Sequence, residues 1–415
     1  MKLKELFTYL LAGLLPSVLI SFALNSIIFG LLSALAFLLI KNNYPDYFKK
    51  RYLLFSTFIA SIVIGLLLDL FYNSGFELRQ ITKRLAFILI PVIVVCSNKQ
   101  QQIFALKVKV YFMSILSTAL LFVGIIKSWL NRGMITYGNW DSETTEQFYS
   151  ENMLLNWGEL SYKRIFLFLD IHPSYYAFFS IVTLMIILFT RHIKINKWLQ
   201  LTLVLLHSLC IILISSKAGI ASLLILACIA LFRHRNPRKM ILGTLVFSSI
   251  IILSFNIPST QLRLKQLYDS VILEGKTVSP NSDLERLYLW KSLNEFSFKE
   301  LCVGIGIKTS KIKVNLITGL NKNIHNQFLQ ALISAGLLGL YLLISFVLLP
   351  LRYSKNIFTY SFVIVLIFNL GFENMLDRIS GIMLVSLFYG LFIFGDKTLF
   401  LEKAMILPHV SKSQN

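Results

Sequence analysis

The chain has 415 residues, of which 56% are hydrophobic and only 14% are charged, and its mean hydropathy is +0.70. A soluble domain carries about 25% charged residues, so the composition excludes an ordinary soluble enzyme. The net charge of +20 falls in short Lys and Arg clusters between apolar runs, which is a pattern of membrane topology and not of nucleic-acid binding.

Apolar stretches of about 20 residues recur along the chain, each about long enough to cross the ~30 Å hydrocarbon core as a helix. We therefore predict an all-α, polytopic membrane protein that forms a single integral membrane domain over residues 1–415. Twelve spans are expected, at residues 6–22, 25–40, 52–72, 84–96, 103–126, 168–190, 197–215, 218–233, 239–256, 327–350, 357–373 and 379–395. The first is predicted to be a retained helix and not a cleaved signal peptide, because no small-residue cleavage site is clear.

The connectors between these spans fall into two sets. One set is rich in Lys and Arg with almost no acids, and it includes the connectors near residues 41–51, 191–197 and 233–239. By the positive-inside rule this set lies in the cytoplasm together with both termini. The other set mixes acids and bases and is expected outside, where it includes a long loop at 257–326 between the ninth and tenth spans.

This long loop carries the most informative motif. Ser282-x-x-Glu285 has the form of a capping box, and apolar residues follow with helical spacing, so an amphipathic helix is predicted. Arg286 and Trp290 are four residues apart and share one face of it. The Arg side chain presents a planar fork that matches phosphate oxygens, although an interfacial Arg that pairs with lipid phosphate or with a neighbouring acid is the alternative.

His325 follows this loop at the entrance to the tenth span, with Asn326 as a plausible helix cap. An imidazole just outside the membrane can remove a proton from a hydroxyl group near neutral pH, while a purely structural His is the alternative. His172 precedes Pro173 at the external entrance to the sixth span, where Asp170 is a possible partner.

Further candidates lie at external span ends. Lys217 occupies a tight turn between two spans, where it either contacts an anion or extends to the membrane surface. Arg84 is at the start of the fourth span, and Glu373 and Arg378 lie in the turn between the last two spans; ion pairing at helix ends is the structural alternative. An excess of base at one membrane surface indicates an anionic substrate such as a phosphate-linked lipid.

Neither a metal nor a cofactor is expected. The four cysteines show no CxxC spacing, which supports neither a disulfide framework nor a zinc site. No Gly-rich phosphate loop is present in the sequence, so no nucleotide is expected.

Together these motifs resemble the O-antigen ligase and polysaccharide polymerase superfamily. The resemblance is carried by Glu285-Arg286-x3-Trp290, by Gly304-Ile305-Gly306, and by His325-Asn326-x-Phe328-Leu329-x6-Gly336-x2-Gly339. It is strongest over residues 282–343 and agrees with the twelve-span layout and the long external loop.

The resemblance implies an inverting, metal-independent glycosyltransferase of the bacterial inner membrane with a periplasmic active site. Such enzymes take a glycan from undecaprenyl pyrophosphate, and the ligases attach it to lipid A–core. By position, His325 matches the His that activates the acceptor hydroxyl, and Arg286 matches the loop Arg that contacts the donor pyrophosphate. Lys217 stands where many members have Arg, whereas Glu373 and Arg378 loosely match an acid and an Arg of the family.

Two alternatives to a ligase stay open. A polymerase uses the same lipid-linked donor but joins one glycan to another, and the compact His325-Asn326 motif favours a ligase over it. A polysaccharide transporter or flippase is the third candidate. Transporters usually have related halves, and no internal repeat is apparent in this sequence.

Overall fold

The protein is almost entirely helical. The computed structural model describes residues 3–40, 47–72, 74–75, 77–131, 136–137, 147–148, 155, 160, 172–214, 216–233, 248, 252, 255 and 282–400. The helices of the first half are α1 (Leu3–Ile20), α2 (Phe22–Leu39), α3 (Tyr47–Phe55), α4 (Thr57–Phe71), α5 (Leu78–Thr82), α6 (Ala86–Cys96) and α7 (Lys99–Leu130). Two short strands, β1 (Thr136–Tyr137) and β2 (Gln147–Phe148), pair antiparallel after α7.

The second half continues in the same way. Its helices are α8 (Pro173–Phe189), α9 (Lys197–Leu213), α10 (Lys217–Phe232), α11 (Ser282–Lys291), α12 (Phe298–Val303), α13 (Ile307–Thr318), α14 (Gln327–Tyr353), α15 (Ile357–Phe372) and α16 (Ile379–Phe394). Single 3₁₀ turns follow α11 at Ser292–Glu295 and α15 at Met375–Asp377.

This architecture confirms the predicted all-helical class and an integral membrane protein. Every predicted span overlaps a helix except the ninth, at 239–256, most of which lies outside the described residues. Among the described helices, four are long and apolar enough to cross a membrane, or five if α3 and α4, which meet at 42°, form one span. A count of twelve crossings therefore stays a prediction, as do the single domain over 1–415 and the external position of the 257–326 loop.

Helix starts are fixed by short polar side chains. Ser21, Asn98, Asn196, Ser216, Asn326 and Asn356 each accept a hydrogen bond from a backbone N–H of the first turn that they precede. The first amides of a helix have no intrahelical partner, and little water reaches them at a membrane entrance. These caps explain why the helices begin where they do.

Two helices form the centre of the bundle. α8 and α16 are buried along nearly their whole length, which fits sequences that are apolar on every face. Their first turns lie side by side, because a Cβ built on Gly381 would come within 3.0 Å of the Tyr175 ring. Two central helices thus begin at the same end of the molecule.

α14 is broken near its start, and the loop that precedes it fills the break. Ala335 and Gly336 leave the helical conformation, and Gly336 has a φ of +67°. The carbonyls of Ile333 and Ser334 accept from the backbone N–H groups of Ile305 and Gly306 at 3.0 Å each. Both carbonyls at the break are therefore hydrogen-bonded. An unpaired carbonyl would be costly here, because little water is present.

The buried carboxylate of Asp69, on α4, also binds this loop through hydrogen bonds. The side chain of Asp69, which is fully buried, accepts from the backbone N–H groups of Ile307, Lys308 and Thr309 at 3.0 Å each. A negative charge at the start of α13 also suits the helix dipole. Gly306, with a φ of +97°, packs its Cα on this carboxylate and leaves no room for a side chain.

We expect Gly336→Ala to destabilise the protein. The left-handed backbone costs a residue with a Cβ about 1–2 kcal/mol, and the new methyl group would collide with the Cys302 carbonyl. Gly30→Ala is the matched control, because a Cβ on Gly30 meets nothing within 4 Å. Thermal unfolding in detergent should show a lower Tm for Gly336→Ala and an unchanged or higher Tm for Gly30→Ala; equal Tm values would contradict this account of the break.

Candidate functional site

The carboxylate of Glu373 lies at the centre of the candidate site. Glu373 directly follows α15 and is only 7% exposed. Arg286 Nη2 donates to its Oε1 at 2.7 Å, and His325 Nδ1 lies 3.3 Å from its Oε2. The Ser174 hydroxyl, in the first turn of α8, donates to Oε1 at 3.5 Å. Four segments that are far apart in the chain therefore meet at one carboxylate.

The surroundings keep Glu373 ionised. Burial alone would raise the pKa of this carboxyl group, but the hydrogen bond with His325 and the positive charges of Arg286 and His172 act in the opposite direction. The net result is a pKa below the usual value of 4.5. A charged carboxylate is consequently available to orient the imidazole and the guanidinium.

His325 is held in an unusual backbone conformation. Its φ is +52°, the one positive φ of a non-glycine residue among those the structure describes. The Ile324 carbonyl before it accepts from the Trp290 indole N–H at 2.9 Å. The Asn326 side chain after it caps α14, as predicted, by accepting from the Phe328 and Leu329 amides. Contacts on both sides thus hold a strained residue in place, which is common at functional sites.

Trp290 and Gln327 tie this turn to the rest of the site. The Trp290 ring lies 6.3 Å from the Phe372 ring, next to Glu373, and belongs to a small apolar cluster of its own loop with Leu289. Gln327 Oε1 accepts from the Leu376 amide at 3.1 Å, which joins the start of α14 to the turn after α15. The Trp290 N–H group positions the backbone before His325, and substrate binding by this side chain stays a prediction.

Arg84 is a buried ion-pair residue. It is 2% exposed, and its guanidinium contacts the Asp377 carboxylate as well as the backbone and side chain of Gln80. This pair links the segment before α6 to the turn between α15 and α16. Arg378, which follows Asp377, is exposed.

His172 and Lys217 lie at the same end of the molecule. His172 is the N-cap of α8, with Pro173 as the first helical residue, and Ser174 binds Glu373. Lys217 opens α10, which is joined to α15 by a 2.7 Å hydrogen bond from Asn369 Nδ2 to Ser222 Oγ. A Cβ built on Gly219, two residues after Lys217, would come within 2.6 Å of Ala177 Cβ near the start of α8, which places the start of α10 beside the start of α8. Asp170, the suggested partner of His172, lies outside the described residues.

Charged residues inside predicted spans have fixed partners. Lys109, on α7, donates to the Phe179 carbonyl at 3.0 Å and to the Thr183 hydroxyl at 2.7 Å. Asp69 caps α13, as described above. In the part of the chain with assigned structure, no group of three or more His, Cys, Asp or Glu side chains is placed to hold a metal ion.

The structure thus brings together most of the residues singled out in the sequence. Arg286, His325 and Glu373 are in direct contact, and Trp290 supports His325 through Ile324. Sequence analysis missed Ser174, Gln327, Asp377 and the capping role of Asp69. Ser174 and Gln327 lie close to His172 and Asn326 in the chain, but no local pattern joins either of them to its partner, whereas Asp377 next to Arg378 was a visible acid.

The fold and this cluster define a helical integral membrane protein with an acid–His–Arg site at the junction of its bundle and a helical loop. Residues 201–344 match the family model described as O-antigen ligase, which confirms the predicted resemblance over this part of the chain. The match contains Lys217, Arg286, Trp290 and His325, while Arg84, His172, Glu373 and Arg378 lie outside it. No curated protein is similar enough to the chain to give a significant match.

The depressed pKa of Glu373 predicts a pH-dependent contribution to stability. A carboxyl group with a lower pKa in the folded state stabilises the fold above its unfolded pKa, and this contribution is lost as the pH falls through the folded pKa. Glu373→Gln should therefore have a lower Tm than the wild type at pH 7, and the difference should shrink below about pH 4.5. Glu295→Gln is the control, because that side chain is exposed at the end of the 3₁₀ turn after α11. A Tm difference for Glu373→Gln that is constant from pH 7 to pH 4 would refute this assignment.

Proposed function

We propose that this protein is an O-antigen ligase, a membrane glycosyltransferase that transfers a glycan from undecaprenyl pyrophosphate to lipid A–core on the periplasmic side of the bacterial inner membrane. The single observation that carries the proposal is the contact of His325 and Arg286 with one buried carboxylate. Family membership over residues 201–344 supports a lipid-linked glycan as substrate and glycosyl transfer as chemistry.

His325 is the proposed base. If its Nδ1–H donates to Glu373, Nε2 carries the free lone pair and faces the acceptor. As the acceptor oxygen attacks the anomeric carbon of the donor sugar, Nε2 takes the hydroxyl proton. The bond from that carbon to the diphosphate breaks at the same time. Such general-base help is worth about 10²–10⁴ in rate, and Glu373 stabilises the imidazolium that forms.

Arg286 and Lys217 are the proposed electrostatic contacts of the leaving group. Arg286 uses Nη2 on Glu373, and its other N–H groups make no hydrogen bond within the described residues. A guanidinium has five donors, so it can keep this bond and still bind a diphosphate oxygen. Lys217 adds its charge at the start of α10, where the helix dipole also favours an anion. These groups stabilise the charge that develops on the diphosphate.

A one-step displacement accounts for inversion at the anomeric carbon. The attacking oxygen and the departing diphosphate lie on opposite faces of the sugar, so the configuration is reversed. The donor is already activated by its diphosphate, and the base and the cations are supplied by the chain. We therefore propose a reaction that needs neither a metal nor a nucleotide.

Loss of the base or of the cation should strongly lower the rate of transfer. His325→Ala is expected to lower kcat by about 10²–10⁴, and Arg286→Ala to lower kcat/KM strongly, with partial recovery in Arg286→Lys. The assay is glycan transfer from a lipid-linked donor by the purified chain in detergent. His192→Ala and Arg191→Ala are the matched controls, since both residues lie at the opposite end of α8. Near-normal transfer by both site variants would overturn the proposed roles.

A polymerase is the second candidate, because the matched superfamily contains enzymes of both kinds. The two reactions differ only in the acceptor, which is lipid A–core for a ligase and another lipid-linked glycan for a polymerase. We expect a host strain that lacks this protein to produce lipopolysaccharide with no attached polymer. A single attached repeat in that strain would instead identify a polymerase.

A further inference from the structure

The ion pair between Arg84 and Asp377 gathers other cations at the same place. Lys83 precedes Arg84 and Arg378 follows Asp377, so the pair brings these two side chains close together. Arg79 is four residues before Lys83, one turn earlier along α5, and therefore lies on the same face. We call Arg79, Lys83 and Arg378 the basic cluster.

The positive charge of the basic cluster is not balanced. Asp377 is bound to Arg84, and Glu77 accepts from Gln80 at 3.0 Å. In the parts of the chain that the structure describes, no acid forms an ion pair with a member of the cluster. Burial and the charges of Arg79, Arg84 and Arg378 lower the pKa of Lys83, while Asp377 raises it. Mutual repulsion of this kind is relieved when an anion binds.

The surface beside the cluster is apolar. Leu78, in the first turn of α5, is 61% exposed, and Phe71 at the end of α4 is 78% exposed. Leu85, next to Arg84, is also exposed. Cations beside exposed apolar side chains at the end of a membrane helix match a molecule with an anionic head and an apolar tail.

We propose that Arg79, Lys83 and Arg378 form a binding site for the phosphate group of a membrane lipid, with the lipid tail against Leu78 and Leu85. This site is separate from the reaction centre, where Arg286 is already paired with Glu373. It is joined to that centre by the short turn from Glu373 to Arg378. A lipid-linked diphosphate and an anionic phospholipid both carry the required group.

Lipid binding to the full-length chain in neutral detergent tests this site. Native mass spectrometry would be used to titrate phosphatidylglycerol, undecaprenyl pyrophosphate and inorganic pyrophosphate, with zwitterionic phosphatidylcholine as the reference lipid. The test variant is Arg79→Gln/Lys83→Gln/Arg378→Gln. The matched control is Arg191→Gln/Lys194→Gln/Lys197→Gln, which removes the same charge between α8 and α9.

We expect the test variant to bind the anionic lipids on the order of tenfold more weakly than the wild type, and the control variant to resemble the wild type. Weaker binding of undecaprenyl pyrophosphate alone identifies a lipid-linked diphosphate as the ligand, and weaker binding of phosphatidylglycerol as well identifies a general phospholipid site. Weaker binding of inorganic pyrophosphate shows that the head group suffices without a tail.

Equal affinities of the two triple variants for both anionic lipids would overturn the proposal. If the test variant does not fold, Arg79→Gln and Arg378→Gln are compared singly, because both side chains are exposed. The readout is binding and not transfer, and phosphatidylglycerol is not the proposed donor, so weaker binding of this lipid tests the site independently of the proposed function.

Discussion

The buried carboxylate of Glu373 is the interaction on which the rest of the site depends. A charge withdrawn from water is tolerated only if it is paired and hydrogen-bonded. Here the partners come from the loop helix α11, from the turn before α14 and from the start of α8. Because Arg286, His325 and Ser174 all contact this one carboxylate, it determines where they lie relative to each other. The same contacts therefore stabilise the fold and arrange the site.

A backbone constraint positions the loop that supplies two of these partners. The break in α14 exposes the carbonyls of Ile333 and Ser334, and the Gly304–Gly306 segment pairs with them. Asp69, on α4, then caps α13 and so fixes the part of the loop that follows Gly306. Each contact satisfies a group that would otherwise be unpaired at the membrane. The loop is consequently docked by backbone hydrogen bonds on both sides of Gly306, and α14 leads directly back to His325.

Hydropathy and local motifs predicted most helices and the Asn326 cap, because these depend on near neighbours in the chain. They also singled out Arg286, His325 and Glu373 as separate candidates. The same reasoning could not predict contacts between segments that are far apart in the chain. Asp69 and Ile307 are 238 residues apart, and Arg84 and Asp377 are 293 apart, and no local pattern joins them. The break in α14 was hidden for another reason, since the predicted span at 327–350 is mostly apolar on both sides of Ala335 and Gly336.

The cations around the site are of two kinds, and the difference follows from burial. Arg84 and Arg286 lie partly or fully inside the protein and pair with Asp377 and Glu373. Each of these two cations is therefore offset by the carboxylate that it contacts. Arg79 and Arg378 are exposed, so water offsets the cost of leaving them unpaired, and their field extends over the adjacent membrane surface. The proposed binding of an anionic lipid requires unpaired cations, whereas the proposed chemistry uses cations that are held by a carboxylate. The two sets of side chains can differ in this way because the short turn from Glu373 to Arg378 separates them.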